Sequence, residues 1–139
     1  MRLPMPARVV LSLLLVQGLQ RTVAWACSCT ADAMDVSEET FDLYGQIFVG
    51  TVRSTGGGGC DGQAHTRFEV TEAFQGVEEG DIVRVAHSVD GASCGMTFED
   101  GQDYLVTVFG EDSVSLCSPT APVAQAQDQI ETLRELTAQ

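Results

Sequence analysis

Positive charge is scarce in this chain, which has no lysine and only seven arginines against 20 aspartate and glutamate residues. The formal net charge is −13, and the arginines form no cluster along the sequence. A strongly acidic surface is repelled by nucleic-acid phosphates and by anionic lipid headgroups. We therefore expect no nucleic-acid partner and no polybasic docking on a membrane, and we interpret the scattered acidic residues as a solvated surface.

Long apolar runs and internal repeats are also missing, with one exception near the N-terminus. Residues 9–16 form an apolar run that follows Arg2 and Arg8 and is too short to cross a bilayer. Ala24 and Ala26 then supply the small residues at −3 and −1 that a secretory signal peptidase recognises. This pattern predicts a secretory signal peptide that ends at Ala26.

The predicted mature protein is a single domain of residues 27–139, left after removal of the signal peptide, residues 1–26. It keeps four arginines and all 20 acidic residues, which gives a formal charge of −16. A chain of this length can bury the core of one compact domain but not of two. We expect it to be secreted, into the extracellular medium or a periplasm, with no membrane association after signal removal.

Cleavage after Ala26 would make Cys27 the first residue of the mature protein and give it a free α-amine. The alternative is bacterial lipidation of Cys27, which would acylate the amine and anchor the chain. A lipidation signal needs leucine or a similar residue at −3 and a small residue at −2, where this chain has Ala24 and Trp25. The residues therefore favour the free amine.

Five cysteines in an exported domain indicate disulfides rather than a thiolate metal site. A direct bridge between Cys27 and Cys29 would close a very small strained ring, so we expect these two to pair separately with Cys94 and Cys117. The residues alone leave the pairing open. Cys60 is the odd cysteine in a glycine-rich loop, where a free thiol, a capped thiol and an intermolecular bridge are all open. We expect a monomer with this cysteine unpaired, and a Cys60-linked dimer is the alternative.

Five segments have the alternation or the β-rich composition of strands. They are residues 46–52, 66–71, 81–85, 104–109 and 113–117. Because Gly- and Asp-rich turns separate them, they predict a closed or nearly closed antiparallel barrel. A short helix is expected over residues 35–44. An amphipathic C-terminal helix is expected to cover one side of the barrel with the stripe Val123, Ala126, Ile130, Leu133 and Leu136.

The sequence has no motif for phosphate, metal or hydrolytic chemistry. The glycine-rich loop at residues 56–59 lacks a Gly-Lys-Ser/Thr ending and opens no helix. His65 and His87 have no spacing typical of zinc ligands or of a catalytic triad, and we interpret both as histidines on strand surfaces. We therefore predict no cofactor and no enzymatic activity.

A further pattern lies in the order and spacing of segments spread over nearly all of the predicted mature chain. They are Cys27-Ser28-Cys29, Phe48-Val49-Gly50-Thr51-Val52, Phe68-Glu69-Val70, Phe74-Gln75-Gly76-Val77, Ser93-Cys94-Gly95, Phe98 with Gly101, Tyr104-Leu105-Val106, and Leu116-Cys117-Ser118. In this arrangement the chain resembles the N-terminal, netrin-like domain of the tissue inhibitors of metalloproteinases, and especially its single-domain bacterial-type relatives.

For the fold, the resemblance implies a five-stranded OB-fold barrel of the netrin-like kind. It also implies the disulfides Cys27–Cys94 and Cys29–Cys117. The chain departs from the animal members of the family, which have a third disulfide in this domain and a second cysteine-rich domain. Cys60 does not restore a third pair.

For the activity, the resemblance implies inhibition of zinc metalloendopeptidases by chelation. The α-amine and carbonyl oxygen of Cys27 would bind the catalytic zinc of the target and displace water from its open position. The ordinary pKa of an α-amine is about 7.7 to 8.0, so the neutral form is accessible near neutral pH. The Ser28 side chain would enter the specificity pocket of the protease. The implied reactive site is Cys27, Ser28, Cys29 and Thr30, and the implied secondary contact is Ala92, Ser93 and Cys94.

Three alternatives give the two N-terminal cysteines a different role. A non-inhibitory netrin-like binding module would use their bridges only to pin the N-terminus, and anchoring to the cell envelope is one form of it. A thiol-disulfide enzyme needs a thiol pKa lowered by a nearby cation or helix start, and nothing basic lies close in sequence. Metal delivery needs reduced thiols, which export disfavours. The inhibitor is therefore the leading hypothesis, and the binding module is its alternative.

Overall fold

The computed structural model describes residues 28–29, 35–90 and 94–139, so the predicted signal peptide lies outside the described residues. The elements in chain order are α1 (Glu38–Phe41), β1 (Tyr44–Gly57), β2 (Gln63–Gln75), β3 (Ile82–Ser88), β4 (Asp103–Phe109), β5 (Ala121–Pro122), a 3₁₀ turn (Val123–Gln125) and α2 (Gln127–Thr137). Within the described ranges, no helix is both long enough and apolar enough to cross a membrane.

The fold is mainly β and is built on one five-stranded antiparallel sheet with the strand order β3-β2-β1-β4-β5. β1 lies at the centre, where it pairs with β2 from Ile47 onward and with β4 from Tyr44 to Thr51. The pairing of β1 with β2 is irregular at three points, and irregularities of this kind bend and twist a strand. The first four predicted strands correspond to β1 to β4, and β1 and β2 are longer than predicted.

The predicted strand over residues 113–117 is wrong. Ser113 makes only isolated bridges, parallel to Ala86 of β3 and antiparallel to the end of β4, and the fifth strand is β5 instead. The reason is a tight turn in which the Ser115 hydroxyl accepts a hydrogen bond from the N–H of Cys117 at 3.1 Å. Side-chain hydrogen bonds to the local backbone compete with a strand ladder. Within the described residues, the five strands form an open sheet, because no ladder joins its edge strands β3 and β5.

Two apolar clusters lie on opposite faces of the central strands. Phe48 and Val52 of β1 enter one cluster, and Ile47 and Val49 enter the other, because alternate side chains of a strand point to opposite faces. The first cluster, here the inner core, comprises Phe48, Val52, Phe68, Val70, Val85, Phe98, Tyr104, Val106, Val108 and Val114. The second, here the helix-side core, comprises Val36, Tyr44, Ile47, Val49, Leu105, Ala126, Ile130 and Leu133.

α2 carries the last three residues of the predicted apolar stripe, and the other two, Val123 and Ala126, lie just before the helix. Ile130 and Leu133 are buried in the helix-side core, and Leu136 packs against it. An ion pair also joins the helix to β2, since Arg134 Nε and Nη2 donate to the two carboxylate oxygens of Glu72 at 2.7 and 2.8 Å. These hydrogen bonds lower the pKa of Glu72. The predicted amphipathic C-terminal helix is therefore present, and it packs on one face of the sheet.

The N-terminal helix is shorter than the predicted span of residues 35–44. The Ser37 hydroxyl accepts from the N–H of Thr40 at 3.3 Å, and the Thr40 hydroxyl accepts from the N–H of Ser37 at 2.9 Å. This reciprocal cap fixes the start of α1 at Glu38. Tyr44 already begins β1 with its side chain buried, so the helix ends after one turn.

Leu133→Ala should destabilise the domain by about 2 to 5 kcal/mol, because it removes a fully buried side chain and leaves a cavity beneath α2. The matched control is Leu43→Ala, at a side chain that is 63% exposed. The control should change the free energy of unfolding by less than about 0.5 kcal/mol. Urea unfolding with the disulfides intact measures both values, and equal losses would contradict the assignment of Leu133 to the core.

Candidate functional site

Three of the predicted framework cysteines come together beyond the end of β3. A disulfide joins Cys29 to Cys117, whose Cα atoms are 5.2 Å apart. The N–H of Leu116 donates to the carbonyl of Cys94 at 3.0 Å, so the turn at Cys94 lies beside the segment that carries Cys117. Cys94 is itself disulfide-bonded. Because Ser28 and Cys29 are exposed, this end of the chain is held at the surface next to the turn.

The turn at Cys94 has an unusual backbone that its surroundings hold in place. Cys94 has a φ of 53°, in the left-handed region that non-glycine residues rarely adopt. The N–H of Gly95 donates to the Asp90 carbonyl at 3.0 Å, and the N–H of Met96 donates to the Ser88 carbonyl at 2.8 Å. A Cβ on Gly95 would overlap both of these carbonyl oxygens. The turn is therefore packed against the end of β3 and requires glycine after Cys94.

The His87 side chain connects this turn to the interior of the sheet. It is 2% exposed, and its Nδ1 lies 2.9 Å from the Met96 carbonyl oxygen, which can only accept. Nδ1 therefore carries the proton, and Nε2 accepts from the Thr66 hydroxyl at 2.8 Å. The Thr55 hydroxyl lies 2.8 Å from that of Thr66 and extends the hydrogen-bonded chain to β1. Burial lowers the pKa of His87, so the ring is neutral at neutral pH.

The interpretation of His87 as a surface histidine is wrong. Val83, Val85 and His87 alternate along β3 and share one face, on which Val85 belongs to the inner core. The predicted strand ends at Val85 and leaves the histidine outside this alternation, although β3 continues to Ser88. His65 is half-buried on β2.

The structure describes only part of the predicted site. The predicted site residues outside the described part of the chain are Cys27, Thr30, Ala92 and Ser93. The Cys27–Cys94 disulfide therefore stays a prediction, whereas the Cys29–Cys117 disulfide is present. Cys60 is a free, exposed thiol in the turn of the β1–β2 hairpin. In the stretches that the structure describes, no three His, Cys, Asp or Glu side chains are grouped so that they could hold a metal ion.

An apolar depression of about 480 Å³ lies beside the Cys94 turn, and the sequence pattern does not indicate it. Met96 and Leu116 line one part of it, and Ala121 and Pro122 of β5 line another. Leu116 is 46% exposed, because it enters the tight turn before Cys117 instead of continuing a strand. The depression therefore adds apolar surface next to the cysteine residues.

Comparison of the sequence with models of known protein families finds no match, and comparison with curated proteins finds none either. What the chain does is therefore inferred from its residues and their geometry.

His87 should make the stability of the domain depend on pH near neutrality. Its pKa in the folded protein lies below the ordinary value of 6.5, so the unfolded chain binds the proton more readily. The free energy of unfolding should therefore fall as the pH is lowered from about 7.5 to about 5.5, a range above that in which most carboxylates titrate. His87→Gln should remove most of this dependence.

Chemical denaturation at several pH values measures the effect. His65→Gln removes the other histidine of the sheet and is the matched control, which should keep most of the pH dependence of the native protein. If His87→Gln keeps it as well, another group titrates and the buried imidazole is not the cause.

Proposed function

We propose that this protein is a secreted inhibitor of zinc metalloendopeptidases, a netrin-like relative of the tissue inhibitors of metalloproteinases. The observation that carries the proposal is the position of Ser28 and Cys29. Both are exposed, and Cys29 is bridged to Cys117 beside the Cys94 turn. A chain processed after Ala26 would begin two residues before this bridge, so its terminal amine would be presented from a disulfide-bound segment.

The fold that we propose is a netrin-like OB-fold barrel. It is supported by the segment after β4, which reaches the free edge of β3. The N–H of Ala86 donates to the Asp112 carbonyl at 2.6 Å, and the N–H of Val114 donates to the Ala86 carbonyl at 3.1 Å. OB-folds are five-stranded, partly open barrels, and a closure reduced to these contacts between β3 and the segment after β4 is consistent with one.

Inhibition by chelation needs only the terminal residue of this chain and the metal of the target. A catalytic zinc has three protein ligands and an open position that holds water. The α-amine and the carbonyl oxygen of Cys27 would close a five-membered ring on that zinc and displace the water. Both ligand atoms belong to the backbone, so the Cys27 sulfur stays available for the proposed bridge to Cys94.

Two features of the structure support tight binding by such a terminus. The Cys29–Cys117 disulfide joins residues 88 positions apart, which loop-entropy models value at about 4 to 5 kcal/mol. The turn at Cys94 is fixed by the close packing of Gly95 and by its hydrogen bonds to the end of β3. A binding segment that is ordered beforehand loses less conformational entropy on association.

Ser28 is the proposed specificity residue, because its exposed side chain follows the chelating residue directly. Ala92, Ser93 and Cys94 would form a second contact ridge beside it. Leu116 hydrogen-bonds to Cys94 and is partly exposed, so it would extend the contact with an apolar side chain.

The proposal assigns the chain no catalytic activity and no cofactor, and its partner is a zinc endopeptidase. The protein would act outside the cytoplasm, in the medium or a periplasm, as a monomer, with a Cys60-linked dimer as the alternative state. The acidic composition is consistent with a protein partner rather than with nucleic acid.

An extra alanine before Cys27 should remove nearly all inhibition, because it converts the terminal amine to an amide and puts bulk into the metal cleft. Loss of a zinc–nitrogen bond of about 2.0 to 2.1 Å should raise the inhibition constant at least about 100-fold. A fluorogenic peptide and a panel of zinc endopeptidases measure the constant, with a serine endopeptidase as the specificity control. The extended and native proteins should have the same melting temperature and the same disulfides.

The absence of lysine gives a second form of the same test. The processed chain would have one primary amine, its N-terminus, so carbamylation in a Cys60→Ser background would block that group alone. The protein with the added alanine and the carbamylated protein should both lose inhibition. If both inhibit as well as the native protein, chelation is wrong and inhibition uses another surface. If the native protein inhibits no member of the panel, the non-inhibitory binding module is the better description.

Ser28→Gly should weaken inhibition about tenfold, because the side chain would contact only the protease. The melting temperature should change little, since Ser28 is exposed. Ser54→Gly makes the same replacement at an exposed serine of β1 and should leave the inhibition constant unaltered. An unchanged constant in Ser28→Gly would make this residue only a spacer between Cys27 and Cys29.

A further inference from the structure

Two arginines face each other on the outer side of the sheet. Arg67 of β2 is paired directly with Arg84 of β3, and its partner on the other side is Ser54 of β1. Directly opposed residues in a ladder point to the same face. The next pair along, Thr66 and Val85, is fully buried, so the arginine side chains lie on the opposite, exposed face.

This arrangement is unfavourable in the protein alone, because like charges directly opposite each other destabilise a sheet. Among the residues that the structure describes, no carboxylate lies within ion-pair distance of Arg67 or Arg84. By contrast, Arg53 and Arg134 are each paired with a glutamate. A chain with 20 acidic residues thus leaves two adjacent cations without an acidic partner in its described part.

An open depression of about 440 Å³ lies over the arginine pair and has Ser54 and His65 on its lining. His65 is two residues before Arg67 on the same face, and its partner on β1 is Gly56. A Cβ on Gly56 would meet nothing within 4 Å, so the space beside the imidazole is open. A hydroxyl, an imidazole and two guanidinium groups therefore border one space.

We propose that this depression binds a small oxyanion of the phosphate or sulfate class, either free or as the end group of an ester. Guanidinium groups donate in a planar fork that matches oxyanions, and two of them fit a dianion better than a single carboxylate. A long polyanion would be repelled by the net charge of −13. A small ion meets mainly the local donors, because salt screens charges beyond about 8 Å.

The acidic groups nearest the depression do not neutralise it. Glu69 is on the same strand as one of the arginines, but its Oε2 accepts from Arg53 Nε at 2.7 Å. Asp81 and Glu111 line the neighbouring depression that also includes Arg84. Neither is ion-paired with that arginine within the described structure. The oxyanion site therefore keeps its positive charge.

The test uses sulfate and inorganic phosphate as probes on the processed protein with its disulfides intact. Sulfate should raise the melting temperature more than chloride at equal ionic strength, and it should shift the amide resonances of Arg67 and Arg84. Arg67→Gln and Arg84→Gln should each weaken sulfate binding about tenfold. Arg134→Gln makes the same charge change on α2 and should leave binding unaltered.

A second measurement separates a ligand site from an ordinary surface pair. In chloride alone, Arg67→Gln or Arg84→Gln should raise the melting temperature by removing the repulsion, whereas Arg134→Gln should lower it. Phenyl phosphate distinguishes the two sources of the ligand. If phenyl phosphate binds more tightly than inorganic phosphate, the ligand is an ester whose organic part contacts Ile82, which is 58% exposed on the same face. If phenyl phosphate binds more weakly, the ligand is the free ion.

Two results would overturn the oxyanion site. In the first, sulfate and chloride act alike on the native protein. In the second, Arg134→Gln weakens sulfate binding as much as Arg67→Gln and Arg84→Gln do.

Discussion

The rest of the domain depends on the central strand β1, which is buried on both faces over residues 47–50. Ile47 and Phe48 are neighbours in the chain, both have no exposed surface, and they belong to different cores. A shift of one residue in the register of β1 would exchange the two sets of apolar side chains. This alternation therefore positions the partner strands β2 and β4. It also positions α2 and the β1–β2 hairpin.

The cysteine-rich end of the molecule is positioned by the sheet built on β1 and not by a core of its own. β3 is held on β2, and the carbonyl of its last residue, Ser88, fixes Met96, while the carbonyl of Asp90 just beyond the strand fixes Gly95. His87 adds a hydrogen bond from inside the sheet to the same turn. In the proposed inhibitor, the reactive part is a backbone amine and carbonyl, so its precision comes from how rigidly the sheet and the Cys29–Cys117 bridge hold the chain beside it.

The elements that could be predicted from the sequence are those whose signal is local. Alternation or β-rich composition identifies residues 46–52 of β1 and nearly all of β4. Three- and four-residue spacing identifies Ile130 and Leu133 as the buried side of α2. The turn at Ser115 was missed because a β-rich composition does not show that its hydroxyl will bind the backbone. His87 was missed because its environment comes from Met96 and from β2, and a single-strand pattern does not report these contacts.

The residues of the candidate sites also differ in whether the sequence predicts their partners. The Cys29–Cys117 pair follows from the family resemblance, whereas the pairing of Arg67 with Arg84 requires the register of β2 against β3. The two arginines are 17 positions apart in sequence, and neither belongs to a basic motif. The sequence therefore predicts an evenly acidic surface, on which the structure shows a small cationic area.

The disulfide that joins Cys29 to Cys117 encloses β1 to β4 in one covalent loop. A single backbone cut within that loop, for instance in the glycine-rich turn at residues 58–62, would leave two polypeptides joined as one molecule. α2 lies outside the loop, and after a cut beyond Cys117 only non-covalent contacts, such as the pair of Arg134 with Glu72, would retain it. The proposed inhibitor can therefore be nicked in its exposed hairpin and still keep the segment that carries residue 28.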